Sequence, residues 1–450
     1  MKTRFKVVFK VVHKLTSFFE ADQRLFFQLS FTDLDLVCMK HFVFGQTCFY
    51  VECKCGLPAF FNEEENLELS QNLYSVDDVQ RLAKVKLPKM IYDFVEGSAG
   101  DESLRDLNTA ALDKMRLMPR VLIDVSKRSL DLQFLGQDYG LPFGVAPMGM
   151  CNLVWPLADQ IIAREAARRR FPVAVSTASS TTLERMIELA DGFAWFQLYA
   201  DQSPDFVSDL IERAASANYD CLILTVDVPI PSRRHRDLRN GFSYPFHWTV
   251  KKVWQFAKYP TWSTRMILTS LQNGIPEPAN YSSSKHGIKF DRNAPRTGAT
   301  WEFLERLRDK WFGKLVVKGV LCPDDAIKIR DIGVDAIYVS NHGGRQLNAA
   351  PTVINSLISI REAVGKNYPL IYDGGIRNGE HVVKAMASGA NFTMLGRSIM
   401  YALGASGKVG VECVIESIEK EFDSSIGLLG CCSPTEVGSH SLAQHFSRKA

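Results

Sequence analysis

Residues 336–344 read Ala-Ile-Tyr-Val-Ser-Asn-His-Gly-Gly. A short apolar run ends in polar residues and glycine, and a helical pattern follows over Val353–Val364. The unit recurs along the chain. Apolar runs of the same kind span Leu141–Gly149, Val173–Ser179, Phe193–Ala200, Cys221–Pro229, Lys314–Val320, Leu370–Arg377 and Phe392–Ser398. Helical patterns separate them, at Leu157–Arg170, Leu183–Ala190, Pro204–Ala217, Pro323–Ile332 and Gly379–Ser388. Near-continuous apolar strands suit a parallel sheet buried on both faces. Eight strand–helix units predict an α/β fold, a closed (β/α)8 TIM barrel. Two N-terminal helices precede it. One starts at Ser75 with Asp77 and Asp78 and runs to Lys86; the second opens at Pro88 and stops at Gly97 and Gly100. Residues 75–448 are therefore read as the barrel domain and 1–74 as an extension without an assigned role.

One connection breaks the rhythm. About 70 residues, 230–299, separate strand four from the helix near Trp301, against about 2–6 for an ordinary loop of this kind. The insertion is also where the charge lies. It holds 12 Lys and Arg against 3 Asp and Glu, a net of +9, whereas the 450-residue chain carries +3. That balance excludes a nucleic-acid binder by bulk charge. With 46% hydrophobic and 23% charged residues, disorder and disulfide scaffolds are excluded too. Ten cysteines include Cys38, Cys48, Cys53 and Cys55 near the start, but their spacing is not that of a zinc site, so no metal is expected. The first 19 residues carry five basic residues and no acid. This fits mitochondrial import as well as a plain upstream extension.

In a barrel of this kind the reactive residues sit at the carboxyl ends of strands. Those ends present Ser176; Gln197 and Tyr199; Thr225 and Asp227; Lys318; Ser340, His342 and Arg345; Asp373, Gly375 and Arg377; Gly396 and Arg397. After strands seven and eight, glycines let backbone N–H groups approach an anion and arginines add paired donors, which makes a phosphate site. Asp373 would repel phosphate and suits ribityl hydroxyls instead. After strand six, His342 as a base beside Arg345 as a carboxylate holder suits attack on a 2-hydroxy acid. Asp227 is placed to pair with His342 and favour its charged form. Lys318 suits a flavin ring that gains negative charge.

These motifs resemble the FMN-dependent 2-hydroxy-acid oxidase and dehydrogenase family, which includes L-lactate and mandelate dehydrogenases and glycolate oxidase. The matching stretches are Leu87–Met90, Trp195–Tyr199, Thr225–Asp227, Lys318-Gly319, Ser340–Leu347, Asp373–Gly375 and Leu395–Arg397. The resemblance implies FMN as cofactor and oxidation of an (S)-2-hydroxy acid to the 2-oxo acid, with quinone or oxygen as acceptor. It implies His342 as base with Asp227 as its partner, and Arg345 and Arg234 on the substrate carboxylate. Tyr199 would bond the substrate oxygen and Lys318 would stabilise reduced flavin. Ser176, Gln197, Thr225 and Ser340 would line the flavin, with Asp373, Gly375, Arg377, Gly396 and Arg397 on the ribityl chain and phosphate. It also implies a homo-oligomer, a tetramer. An isomerase without net redox turnover and a non-catalytic flavin scaffold are the alternatives.

Phe94 stands where many members carry a Tyr that donates to the carboxylate. With Met148 and Ala178 it points to a wider, more apolar pocket and a larger apolar side chain on the substrate. Gly149 stands where several oxidases carry Ala. Between Phe242 and Trp262 lie eight aromatics interleaved with Lys251, Lys252 and Lys258 and no acid. Val250, Val253, Trp254 and Ala257 fall on one helical face. Two readings stand side by side: a peripheral membrane contact through 242–262, or a lid or oligomer interface that folds the aromatics inward. The expected location is the cytoplasm, at the inner face of a membrane under the first reading.

Overall fold

Eight parallel strands close on themselves: β1 (Phe143–Met148), β2 (Val173–Ser176), β3 (Ala194–Tyr199), β4 (Cys221–Thr225), β5 (Lys314–Val320), β6 (Ala336–Val339), β7 (Leu370–Asp373) and β8 (Phe392–Leu395), with β8 paired back to β1. They belong to a computed structural model that describes residues 42–44, 47–49, 73–200, 203–244, 246, 249–283, 290–291 and 294–443. Residues 1–63 form a separate unit, in which Phe42–Phe44 pairs antiparallel with Thr47–Phe49.

Strand side chains alternate between faces, and the alternation sorts this barrel into two cores. Ala146, Ala174, Trp195, Ile223, Val316, Tyr338, Ile371 and Met394 pack together inside it. Their strand neighbours, such as Phe196, Leu222, Val317 and Leu370, face the surrounding helices. A hairpin that sequence patterning did not reveal, Leu132–Phe134 with Gln137–Tyr139, packs onto the inner core. Phe134 stacks on Phe392 at 5.1 Å, and Tyr139 accepts a 3.0 Å hydrogen bond from the Trp195 indole. The amino-terminal end of the barrel is thereby covered, and the carboxyl ends of the strands form the mouth.

Seven of the eight strands are shorter than the apolar runs, and Lys314–Val320 matches its run. Leu370–Arg377, for example, becomes Leu370–Asp373, because the glycines and polar residues leave the sheet to build loops over the mouth. The helix Val76–Lys86 is capped by Ser75, whose Oγ accepts from the Asp78 N–H at 3.2 Å. It packs along the last helix, Arg397–Leu428. That helix is long and apolar enough to cross a membrane, but its apolar stretch is 78% buried in the fold, as a core helix is. A further helix, Ser103–Lys114, was not visible in the sequence pattern.

The insertion adds helices His235–Asn240, Val250–Ala257 and Pro260–Asn273. Its aromatics divide between two faces. Phe242 and Phe256 are buried, Phe256 stacks on Trp262 at 5.3 Å, and Lys252 lies buried over the Phe246 ring at 4.5 Å. Trp248 falls outside the described residues. The face formed by Val250, Val253, Trp254 and Ala257 is exposed, with Trp254 at 59%. Ile267, Leu268, Leu271 and Ile275 are exposed as well.

The far end of the insertion is pinned by Asn280, which is wholly buried. Its Oδ1 accepts from Leu183 N at 2.9 Å and its Nδ2 donates to Ser176 O and Thr177 O at 3.3 and 3.4 Å. Asn280→Ala leaves these buried groups unmatched and should lower stability by about 1–3 kcal/mol. Thermal unfolding measures it; an unchanged Tm would show that the anchor contributes nothing.

Candidate active site

Continuing each strand two residues past its innermost apolar residue reaches the mouth. From Ala174 this gives Ser176; from Trp195, Gln197 and then Tyr199; from Ile223, Thr225; from Val316, Lys318; from Tyr338, Ser340; from Ile371, Asp373. Each lies on the same inward register as the core beneath it. The pairing carries the ring sideways, with Ser176 beside Gln197, Tyr199 beside Thr225, and Thr225 beside Lys318.

Past Ser340 the chain makes a tight turn. His342, Gly343 and Gly344 take φ values of +56°, +63° and +74°. For His342 this is a strained conformation of the kind found at functional sites. Ser340 Oγ accepts from the His342 N–H at 3.0 Å, and Asn341 Oδ1 accepts from the Gly344 N–H at 3.1 Å. Asn341 also exchanges two 3.0 Å hydrogen bonds with Asn108 of the helix Ser103–Lys114.

The imidazole meets Asp227, with Nδ1 3.1 and 3.2 Å from the two carboxylate oxygens. Asp227 can stand there because residue 319 is glycine. At φ +103°, a Cβ on Gly319 would lie 2.6 Å from Asp227 Cβ and Cγ. Burial pushes the Asp227 carboxyl up, but His342 and Lys318 outweigh it and hold it below the ordinary value. For His342 the balance differs from the sequence expectation. Asp227 does favour the charged form, yet burial acts more strongly, aided by Lys318 and Arg234, and the imidazole ends below its ordinary pKa.

Lys318 is buried among polar partners. Its Nζ donates to Ser340 Oγ at 2.9 Å, lies 3.5 Å from Asp373 Oδ2, and sits 4.8 Å from the centre of the Tyr338 ring. Burial opposes its charge, but Asp373 and Asp227 outweigh burial and raise its pKa. Around it, several buried atoms lack any protein partner among the described residues: Gln197 Oε1 and Nε2, Thr225 Oγ1 and Asp373 Oδ1. Buried polar groups are ordinarily hydrogen-bonded, so a ring of unmatched donors and acceptors at a barrel mouth fits a polar planar ligand. A Cβ on Gly396 would meet nothing within 4 Å, which leaves open space at the end of β8.

The arginines are held by backbone. Arg345 Nη1 donates to the carbonyls of Phe94, Val95 and Gly97 at 3.0, 3.2 and 2.8 Å, at the end of the helix Lys89–Glu96. Arg234 Nε donates to Ser232 Oγ and Arg345 O, joining the insertion to the same turn. Arg397 donates to Val95 O, Gly343 O, Gly97 O and Ser98 Oγ. In this arrangement it is a strut between that helix and the His342 turn. The Arg377 side chain donates to Ile376 O and lies over the Tyr401 ring, and its N–H donates to His381 Nδ1. Gly375 has a second reason to be glycine beyond an anion: a Cβ there would meet the Asn108 backbone at 2.7 Å. Phe94 stacks on Phe242 of the insertion at 4.9 Å, an apolar wall beside Arg345.

A family model described as FMN-dependent dehydrogenase matches residues 83–444. The chain belongs to that family. FMN is therefore its cofactor, and the unmatched polar ring is consistent with such a ligand. The chain is 36% identical over 374 residues to (S)-mandelate dehydrogenase of Pseudomonas putida, covering 82% of this chain and 93% of that protein. It is 34% identical over 377 residues to L-lactate dehydrogenase of Vibrio cholerae, covering 82% and 98%. A solved structure of the monotopic membrane protein (S)-mandelate dehydrogenase superimposes with a TM-score of 0.77 at 34% identity, covering 83% of this chain and 99% of that one.

Several site residues carry no signal in the sequence pattern. Asn108 lies on the weakly patterned helix Ser103–Lys114. Gly319 stands out in the sequence only as part of a Lys-Gly pair. Phe242 and Arg296 come from the insertion, where nothing in the pattern marks which aromatic or cation turns inward. Gly319→Ala should displace Asp227 and slow FMN reduction by about 100-fold, the lower end of what a positioned proton acceptor contributes. Stopped-flow absorbance measures it. A variant that keeps the full rate would show that Asp227 is not held by the space above Gly319.

Proposed function

We propose that this enzyme oxidises an (S)-2-hydroxy acid with an apolar side chain to the 2-oxo acid and passes the electrons to a membrane quinone. The observation that carries the reaction is the partly buried His342–Asp227 pair beside two arginines at the mouth of an FMN barrel. Asp227 accepts from Nδ1–H, which fixes the tautomer and leaves Nε2 to take the substrate proton. Burial lowers the His342 pKa and so favours the neutral imidazole that a base requires. Arg234 and Arg345 orient the carboxylate, as two cations that share the Arg345 carbonyl as a fixed point. Tyr199 hydrogen-bonds the substrate oxygen. The Phe94–Phe242 wall supplies no donor and favours an apolar substituent, in keeping with relatives named mandelate and lactate dehydrogenase. Ser176, Gln197, Thr225, Ser340 and Asp373 would hold FMN at the inward register, with Gly375, Arg377 and Gly396 at its phosphate end, where Arg397 would have to exchange a backbone carbonyl for phosphate. Bound there, FMN supplies the two-electron acceptor, and buried Lys318 favours negative charge on it.

Anaerobic mixing with a panel of 2-hydroxy acids tests this reading. Mandelate and longer apolar acids should bleach the flavin faster than glycolate; if no acid bleaches it, an isomerase or a flavin-binding scaffold takes its place. His342→Ala should slow bleaching by about 100-fold or more. The acid limb of kcat/KM follows from the sign of the His342 shift. A base must be unprotonated, so activity falls as pH drops through its pKa, and the midpoint should lie below about 6.5. Asp227→Asn removes a carboxylate that raises this pKa, so the limb should move further toward acid while the maximal rate drops. A limb that moves toward alkali would exclude His342 as the titrating base.

The membrane reading rests on the outward apolar face of the insertion rather than on its aromatic mass. Trp254, Ile267, Leu268, Leu271 and Ile275 are exposed large apolar residues, which suits shallow insertion at the inner face of a membrane. Trp254→Ser combined with Leu271→Ser should release the protein from anionic liposomes in a co-sedimentation assay without loss of FMN. Equal sedimentation of the two proteins would remove the surface from the argument, and faster reoxidation by oxygen than by a soluble quinone would remove the acceptor.

A further inference from the structure

Arg296 is a buried cation, 7% exposed, and no carboxylate lies within ion-pair distance among the described residues. Its guanidinium stands over the Tyr199 ring, 4.8 Å from the centroid, and 5.8 Å from the Phe290 centroid. Nη1 donates to Ala294 O at 3.1 Å and Nη2 to Asp291 O at 3.5 Å, both within its own loop. Nε is buried without a partner among the described residues. The backbone is fixed as well: Arg296 N donates to Pro229 O at 3.1 Å, two residues past Asp227. Phe290 packs against Tyr281 at 5.0 Å and Tyr244 at 5.8 Å, and Tyr281 packs on Phe206 at 4.6 Å. Both ends of the insertion thus converge on one aromatic cluster whose charged member touches Tyr199.

An unpaired buried charge is costly unless something specific compensates it, and here the compensation is an aromatic face at the mouth. A planar guanidinium on a ring also fixes the tilt of that ring. We propose that Arg296 is a positioning residue: stacked on Tyr199, it holds the phenol in the orientation that bonds the substrate oxygen and seats the returning end of the insertion on the active site. The inference rests on the hydroxy-acid reading above, in which Tyr199 contacts substrate.

The test is a double-mutant cycle in the FMN-loaded enzyme, with the anaerobic flavin-reduction rate and KM both measured. Arg296→Met should slow reduction by about 10–30-fold, the worth of a desolvated cation–π contact. In a Tyr199→Phe background, where no phenol remains to be oriented, the same substitution should cost less than about 3-fold. Arg296→Lys keeps the charge without the planar stack and should recover part of the loss. Should Arg296→Met fail to retain FMN, Arg296→Lys and Arg296→Gln carry the cycle. An equal loss in both backgrounds, or no loss in either, overturns the proposal. If Tyr199→Phe alone leaves the rate unchanged, the role of Tyr199 and the proposal fall together. If wild-type flavin is not bleached by any 2-hydroxy acid, the failure lies in the hydroxy-acid reading.

Discussion

Closure of the barrel forces every second strand residue into a space too narrow for anything but side chains, and the chemistry depends on that constraint. Below the mouth the inward positions are apolar and pack on Trp195, Tyr338 and Phe392. At the last inward position of strand after strand the residue type switches to Ser176, Gln197, Thr225, Lys318, Ser340 and Asp373. Nothing in packing asks for that switch. The lumen beneath is filled and the hairpin covers its far end, so the polar ring has one direction in which to find a partner.

Electrostatics in the mouth follow from burial and from how many charges are there. Lys318 lies 3.5 Å from Asp373, and the His342 imidazole lies 3.1 Å from Asp227. Burial penalises each one alone, and the partners restore the carboxylate of Asp227 and the ammonium of Lys318. For His342 the partner does not win, because Lys318 and Arg234 press against a second positive charge on top of the desolvation penalty. The result is an imidazole tethered to a carboxylate, with its proton affinity lowered in the direction a base requires.

The insertion turns two faces to two environments. Its inner face brings Phe242 to Phe94, Asn280 to the loop after β2, and Arg296 to Tyr199. Its outer face leaves Trp254 and Leu271 exposed. Inward-packed aromatics and exposed apolar residues thus occur on the same segment.

The sequence by itself determined the barrel, because apolar runs repeating at strand length and separated by helical patterns admit few other closures. It also determined the candidate base, carboxylate holders and strand-end polar groups, because chemistry-bearing residues at those positions have no packing role to play. Three things escaped it. The hairpin and the helix Ser103–Lys114 are short or weakly patterned and take their stability from what they cover. The donors of Arg397 turned out to be occupied by carbonyls at the end of the helix Lys89–Glu96, from about 300 residues earlier in the chain. The reason for Gly319, the inward turn of Arg296 and the sign of the His342 shift depend on which groups meet across the mouth. Proximity of that kind, and the loss of water that comes with it, exists only once the strands have closed.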